Sequence, residues 1–328
     1  MGFLLSLILG FAPMFLFAGF VYWLDHYEKE PRHLLGGAFV WGAVIAAGAA
    51  FLINTFIGAG IFVFTGSETI AEWTTGSIVA PVVEEILKGT AVLLVFLFFR
   101  HEFDSILDGI VYAAITALGF AATENTYYIY TFGYLEDGFV GLWNLAFIRI
   151  ILVGWQHPFY TAFFGIGLAL ARMNRSPRQK ILYPLAGLAV SILLHGFHNT
   201  IPGLIPGLAG FAIGAIFDWS GWLALFAFIL YMISRERQLL RTELVAELNT
   251  GILTETQYRT ASSTWAQLSA SISALGTPKF HPTRHFYQLC AELAHKKHQF
   301  NHLGDEKGNQ EIINNLRTRL QELASEIA

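Results

Sequence analysis

Three ionisable residues sit inside a stretch that is otherwise fit to cross a bilayer. Residues 80–89 read APVVEEILKG, so Glu84 and Glu85 are adjacent and Lys88 follows closely, while residues 90–99 carry no charge. Each ionisable group at membrane depth costs about 2.5 kcal/mol or more. Anchoring alone does not explain three of them within five residues. The simplest structural readings are a shortened span with both glutamates at the surface, or a Glu84–Lys88 pair at i,i+4 that braces helix packing. The remainder of the chain argues for more than that.

Of 328 residues, 54% are hydrophobic, 15% aromatic and 13% charged. Soluble domains carry about 25% charged residues, so the composition points to a polytopic membrane protein. A net charge of −4 gives no support for a nucleic-acid partner. The single cysteine, Cys290, excludes an intramolecular disulfide framework. Residues 2–23 are apolar, yet no Lys or Arg precedes them and the run exceeds a signal peptide's apolar region of about 7–15 residues. They read as a retained first transmembrane helix.

Further apolar runs follow at 34–64, 77–99, 106–130, 142–171, 181–200 and 215–233. A span needs about 20 such residues, which gives about seven helices. In the last, Asp218 is expected to mark the wet end after a Gly- and Pro-rich approach at 202–217. Every second loop is basic: Lys29 and Arg32, then Arg100, then Arg172, Arg175, Arg178 and Lys180, then Arg235, Arg237 and Arg241. The alternate loops, 65–76, 131–141 and 201–207, have no Lys or Arg. The positive-inside rule then expects the amino terminus outside a cell membrane and the carboxyl terminus in the cytoplasm.

From about Ser234 the chain turns polar. The expected fold is all-α: a transmembrane bundle over 1–233 and a soluble helical tail over 234–328 of about four helices. Thr254 and Gln257 have capping-box spacing after Gly251, Gly276 and Pro278 break a helix, and Ile312, Leu316, Leu320 and Leu323 form an apolar stripe. His281, His285, His295, His298 and His302 have helical-face spacing but are expected to lie in a solvated region without acidic or Cys companions, which argues against a metal site there.

Polar residues recur deep in other runs. Glu124 and Asn125 lie in LGFAATEN; His157, Thr161 and Gly165 share a face at i, i+4 and i+8; His195 and Asn199 share another. Gly165 lets a neighbouring helix come close. With a rise of 1.5 Å per residue, Glu85 lies ~22 Å, His157 ~21 Å, His195 ~21 Å and Glu124 ~27 Å from the basic ends of their helices. Four helices therefore offer carboxylates and imidazoles at one level. Arg149 reads as a counter-ion for a glutamate. Taken singly, each has a structural reading: a packing histidine, a helix-end cap, a polar clasp. Together they make a polar site, and the chemistry suits amide hydrolysis. A carboxylate can act as general base on water, and imidazoles with Asn199 can hold zinc or stabilise an oxyanion. No G-x-S-x-G or HExxH motif is present. A proton-coupled transporter and a non-catalytic scaffold are the competing classes; no inverted repeat supports the former.

The chain resembles the PrsW family of intramembrane metalloproteases, itself distantly similar to CAAX prenyl endopeptidases. The resemblance rests on five blocks in order. They are LDHYEKEP with Asp25, Glu30 and Pro31; VVEEILKG; DGIVYAAITALGFAATEN; WQHPFYTAFFG; and HGFHN. It implies Glu84 and Glu85 as catalytic or metal-associated, with Glu84 the favoured base. It implies His157 and His195 as ligands or transition-state stabilisers, with Glu85 as the third zinc ligand. Lys88, Glu124, Asn125, Arg149 and Asn199 are supports. A single-span or otherwise membrane-anchored protein, such as an anti-sigma factor, is the implied substrate, and zinc the implied metal. His198 departs from the family, which usually has an aromatic residue there, and is expected to be a neutral packing substitution. The tail lies outside the resemblance.

Overall fold

A computed structural model describes residues 1–305 and 308–327, and among these every regular element is helical. The membrane-directed part contains α1 (Gly2–Leu24), α2 (Arg32–Val40), α3 (Ala47–Thr65), α4 (Glu68–Thr74), α5 (Ala80–Phe98), α6 (Ile106–Tyr128), α7 (Leu135–Ala146), α8 (Gln156–Arg172), α9 (Pro177–Leu204) and α10 (Leu208–Glu243). Wider π-helical turns interrupt it at Trp41–Ala46, Thr75–Val79, Ile129–Tyr134 and Phe147–Leu152. Short helices α11 (Val245–Asn249), α12 (Glu255–Ala261) and α13 (Thr264–Ser273) precede α14 (Phe280–Leu303) and α15 (Asn309–Ile327).

Among the described residues, five helical stretches are long and apolar enough to cross a membrane: Gly2–Leu24, Arg32–Thr65, Ile106–Arg172, Pro177–Ile201 and Leu208–Asn249. The protein is thus a multi-pass membrane protein. The count differs from the seven apolar runs for two physical reasons. The run at 77–99 carries Glu84, Glu85 and Lys88, too many charges for hydropathy to register it. The stretch Ile106–Arg172 covers two runs, because α6 and α8 pack side by side after the chain bends at Asp137–Gly138. Gly138 has φ 60° and ψ −140°, a conformation open in practice to glycine alone.

The first compact unit comprises Met1–Leu24, Glu30–Arg172 and Ser176–Ala227. Its centre is α6, of which nearly every residue from Leu107 to Ala122 is buried. Ser105 caps it, accepting from the Asp108 amide while Asp108 accepts from the Ser105 amide. Small residues explain how so many helices reach it. A Cβ on Gly109 would lie 2.2 Å from the Gly165 carbonyl oxygen, and one on Gly165 would lie 2.0 Å from that of Gly109. Backbone therefore meets backbone between α6 and α8, as the sequence expects of Gly165. Gly119 is set equally close to the carbonyl of Phe39.

The second unit comprises Asp25–Lys29, Met173–Arg175 and Phe228–Ala328. Leu240, Leu244, Phe286, Leu289, Cys290, Leu293, Leu316 and Leu320 form its core. Both halves of the Thr254–Gln257 capping box are present. Two expectations change. The buried face of α15 runs through Ile313, Leu316 and Leu320, with Ile312 only partly covered. The tail histidines also gain acidic neighbours from distant sequence: Glu243 lies 3.4 Å from His298 and Glu28 4.0 Å from His295. In addition, α10 runs unbroken through Ser234, so the polar tail begins inside a helix.

Two outcomes follow from this packing. Gly165→Val should cost at least about 3 kcal/mol, because the obstacle is backbone rather than a movable side chain. Detergent melting should fall sharply, while Gly19→Ala, whose site faces no neighbour within 4 Å, should melt like the native chain. Cys290 is fully buried and its thiol is pushed up by burial, so the thiolate is scarce. Maleimide should leave it unlabelled in the folded detergent-solubilised protein and label it after denaturation; prompt labelling of the folded protein would refute the packing of α14.

Candidate active site

Adjacent residues on a helix point about 100° apart, and α5 uses this to send its two glutamates to different neighbours. Glu85 faces α8 and α9. Its Oε1 accepts from Lys88 Nζ at 2.5 Å and contacts His195 Nδ1 at 2.9 Å, and its Oε2 accepts from Thr161 Oγ1 at 2.8 Å. Glu84 faces α3. Its Oε1 accepts from Asn54 Nδ2 at 3.4 Å, and its buried Oε2 has no hydrogen-bond partner. Lys88 therefore pairs with Glu85 at i,i+3, not with Glu84 at i,i+4. Both glutamates, Lys88, His157 and His195 are at most 6% exposed, so none is a surface group.

His157 and Thr161 lie one turn apart on α8 and both face α5. His157 Nδ1 is 3.3 Å from Lys88 Nζ, and its Nε2 is 2.9 Å from Glu124 Oε2. Lys88 can only donate, so Nδ1 accepts and Nε2–H donates to Glu124. Arg149, on the π-turn before α8, donates to Glu124 and, at 2.8 Å, to Asn125 Oδ1. Its guanidinium also sits 4.4 Å from the Tyr128 ring centroid. The counter-ion reading of Arg149 thus has a specific partner.

On α9, His195 is held by Glu85 at Nδ1, which leaves the Nε2 lone pair turned to Glu84 Oε2 at 3.8 Å. The His157 and His195 ring centroids are 5.4 Å apart. The four helices predicted to share a level do bring their polar groups into one cluster. Asn199 does not join it. Its Nδ2 donates to the Gly76 carbonyl at 2.9 Å, a group in the π-turn that leads into α5.

The geometry also regroups the metal set. One ligand atom each from Glu84, His157 and His195 lies within 4.8 Å of the others. Glu84, not Glu85, is the carboxylate of this trio. The donor types, one carboxylate and two imidazoles, suit zinc. Glu84 Oε2 and His195 Nε2 fit the role of ligands, being buried and uncommitted. His157 fits once it releases Glu124 or Lys88.

Three contributors escaped the sequence reading. Asn54 touches Glu84 from α3. Tyr160 stacks on His195, with centroids 5.1 Å apart and planes at 22°. Asp218, expected at a wet helix end, is 3% exposed and accepts from Tyr160 OH at 2.5 Å. His198 Nδ1 lies 2.8 Å from the other Asp218 oxygen, an ion-pair distance off the line of a hydrogen bond. His198 is thus a polar partner rather than a neutral packing substitution. Only Asp218, an acid within an apolar run, gave a signal that a buried partner was needed.

Comparison with known proteins points to one family. The family model described as PrsW family intramembrane metalloprotease matches residues 30–233. Protease PrsW of Bacillus subtilis (strain 168) is 29% identical over 192 residues, 58% of this chain and 80% of the relative. Protease PrsW of Geobacillus kaustophilus (strain HTA426) is 27% identical over 190 residues, 58% and 76% of the two chains. Protease PrsW of Oceanobacillus iheyensis is 33% identical over 122 residues, 37% and 50%. No solved structure matches the chain. The family match spans every residue of the buried cluster, and the chain belongs to the PrsW family of intramembrane metalloproteases.

Proposed function

We propose that this protease hydrolyses a peptide bond of a membrane-anchored protein, with Glu84 as the base that activates water. One observation carries the reading: Glu84 Oε2 is buried and without a partner, 3.8 Å from a His195 nitrogen whose lone pair is also uncommitted. Two acceptors at that separation suit a single water that donates one proton to each. Glu84 takes a proton as the water oxygen bonds to the scissile carbonyl carbon. It returns that proton to the leaving amine when the C–N bond breaks. Glu85 acts through His195, fixing its tautomer and the direction of Nε2, while Lys88 balances the charge of Glu85. Glu124, with Arg149 and Asn125 behind it, orients His157.

As the alternative to this direct hold on the water, Glu84, His157 and His195 would together hold zinc, which when bound lowers the pKa of a coordinated water and polarises a carbonyl. The alternation of basic loops supports an amino terminus outside the cell membrane and a cytoplasmic tail. With the cluster's predicted distance from the basic ends, that favours cleavage in the outer half of the bilayer. Single-span regulators such as anti-sigma factors are the substrate class we favour. Membrane proteomes of cells with and without the active chain would identify the substrate as a single-span protein that keeps its outer domain only when the chain is inactive.

Glu84→Gln should lower cleavage by about 10²–10⁴-fold and leave detergent melting near native. Glu85→Gln should behave differently. It leaves the Lys88 charge buried without its counter-ion, at a cost of about 3–5 kcal/mol, so folding and activity fall together. Full cleavage by both correctly inserted variants would overturn the assignment.

Metal content is checked separately. Purified protein should contain about one equivalent of zinc, reduced by Glu84→Ala, His157→Ala or His195→Ala. Full activity after exhaustive chelation, with no metal bound, would leave only the direct arrangement in which Glu84 and His195 share the water.

A further inference from the structure

The face that α13 turns outward is the reverse of what a helix in water presents. Trp265, Leu268 and Ile272 fall at i, i+3 and i+7, and Leu275 continues the stripe in the turn that follows. Trp265 is 77% exposed, Ile272 61% and Leu275 64%, and Leu268 is partly exposed. The opposite face packs inward with Ala270 and with Gln267, whose amide donates to the Ala261 carbonyl at 2.7 Å. The helix thus turns a glutamine and an alanine inward and exposes its largest apolar side chains. Tryptophan is highly buried on average, and a contiguous exposed apolar patch marks an interaction surface.

We infer that lipid covers this face: α13 lies in the headgroup–acyl boundary of the membrane that α1 and α10 cross, with Trp265, Leu268, Ile272 and Leu275 inserted. The site is independent of the reaction chemistry. Hydrogen bonds tie the start of α13 to the ends of both apolar runs. Tyr27 OH and Thr264 Oγ1 are 2.8 Å apart, and His26 Nε2 donates to the Thr264 carbonyl at 3.2 Å. Both of these residues come directly after α1, which ends at Leu24. Arg237, on α10 just past the apolar run that ends at residue 233, donates from Nε to the Ser262 carbonyl at 3.2 Å. Trp23, exposed on the last turn of α1, lies at the same chain end, and tryptophan gathers at the membrane–water boundary. A helix anchored there has lipid within reach of its apolar face, whereas a soluble partner would not require it to start at the end of a span. Charge points the same way. Residues 260–278 carry none, and residues 256–291 include Arg259, Lys279 and Arg284 but no Asp or Glu, so anionic headgroups repel nothing in the segment. Interfacial helices bury their apolar face about 5–10 Å into that boundary.

The test uses the full chain in nanodiscs of phosphatidylcholine and phosphatidylserine. Ser269→Cys, at an exposed position beside the stripe, carries the fluorophore NBD. Cys290 is fully buried and takes no label in the folded protein, which the chain without the added cysteine verifies. Lipids with a nitroxide near the top of the acyl chain should quench about half of the emission or more. The same label on Asn315→Cys, at an exposed polar position of α15, should keep nearly all of its emission. Trp265→Ser with Ile272→Ser should cut the quenching at position 269 about three- to tenfold, and Trp265→Phe with Ile272→Leu should retain it. Detergent melting of these variants should match the native chain, because the side chains replaced are exposed. Water-like emission from the Ser269→Cys label with no lipid quenching overturns the proposal. So does blue-shifted emission that lipid does not quench, seen in discs holding two chains but not one, which assigns the face to a second copy.

Discussion

The carboxylate of Glu85 is 1% exposed in a helix with an otherwise apolar surround, and its burial disciplines the whole bundle. A charge so placed must be paired and hydrogen-bonded. Lys88 comes from its own helix, Thr161 from α8 and His195 from α9. Three helices are thereby fixed in rotation and depth about one side chain. The same bonds determine chemistry one residue away. Because Glu85 takes Nδ1 of His195, the other ring nitrogen faces Glu84. Because Glu84 points some 100° away from Glu85, it cannot share those donors. One glutamate is satisfied and the other is left available.

Such short side chains meet only if backbones come near. Thr161 has one rotatable bond with which to reach a glutamate on another helix. Gly89 of α5 lies close against Phe164 of α8, and Gly109 and Gly165 let α6 and α8 touch along their main chains. The central helix α6 then contributes at both ends. Its amino end is closed by a capping box, and its far end carries Glu124 and Asn125 to the Arg149–His157 side of the cluster. Packing without a hydrophobic driving force depends on close fit, so the small residues of α6 and α8 and the polar cluster support one another.

What the sequence made legible follows from periodicity and from cost. Apolar runs define helices, and ionisable residues inside them are too expensive to be incidental, so Glu84, Glu85, Glu124, His157 and His195 stand out. The choice of partner is less legible, since it depends on what neighbouring helices present. Lys88 sits three residues from one glutamate and four from the other, and it pairs with the former, beside His157 across the interface. Asn199 shares a helical face with His195, but one turn further that face meets a π-turn carbonyl instead of the cluster. Asn54 gave no sign at all, being one polar residue in a long lipid-facing run. Asp218 was misplaced because a Gly- and Pro-rich approach resembles a loop. The helix in fact begins at Leu208, which puts Asp218 nearly three turns inside it.

That placement gives His198 a specific neighbour. A buried carboxylate needs partners for both oxygens. Tyr160 serves one of them and stacks its ring on His195. The second oxygen faces position 198, where an aromatic residue would leave it unmatched. A histidine there brings a polar nitrogen to 2.8 Å. His198 and Asp218 therefore form one polar pair, divided between α9 and α10. It also gives His195 a second support: Glu85 fixes the ring's direction through a hydrogen bond, and Tyr160, anchored by Asp218, fixes its plane.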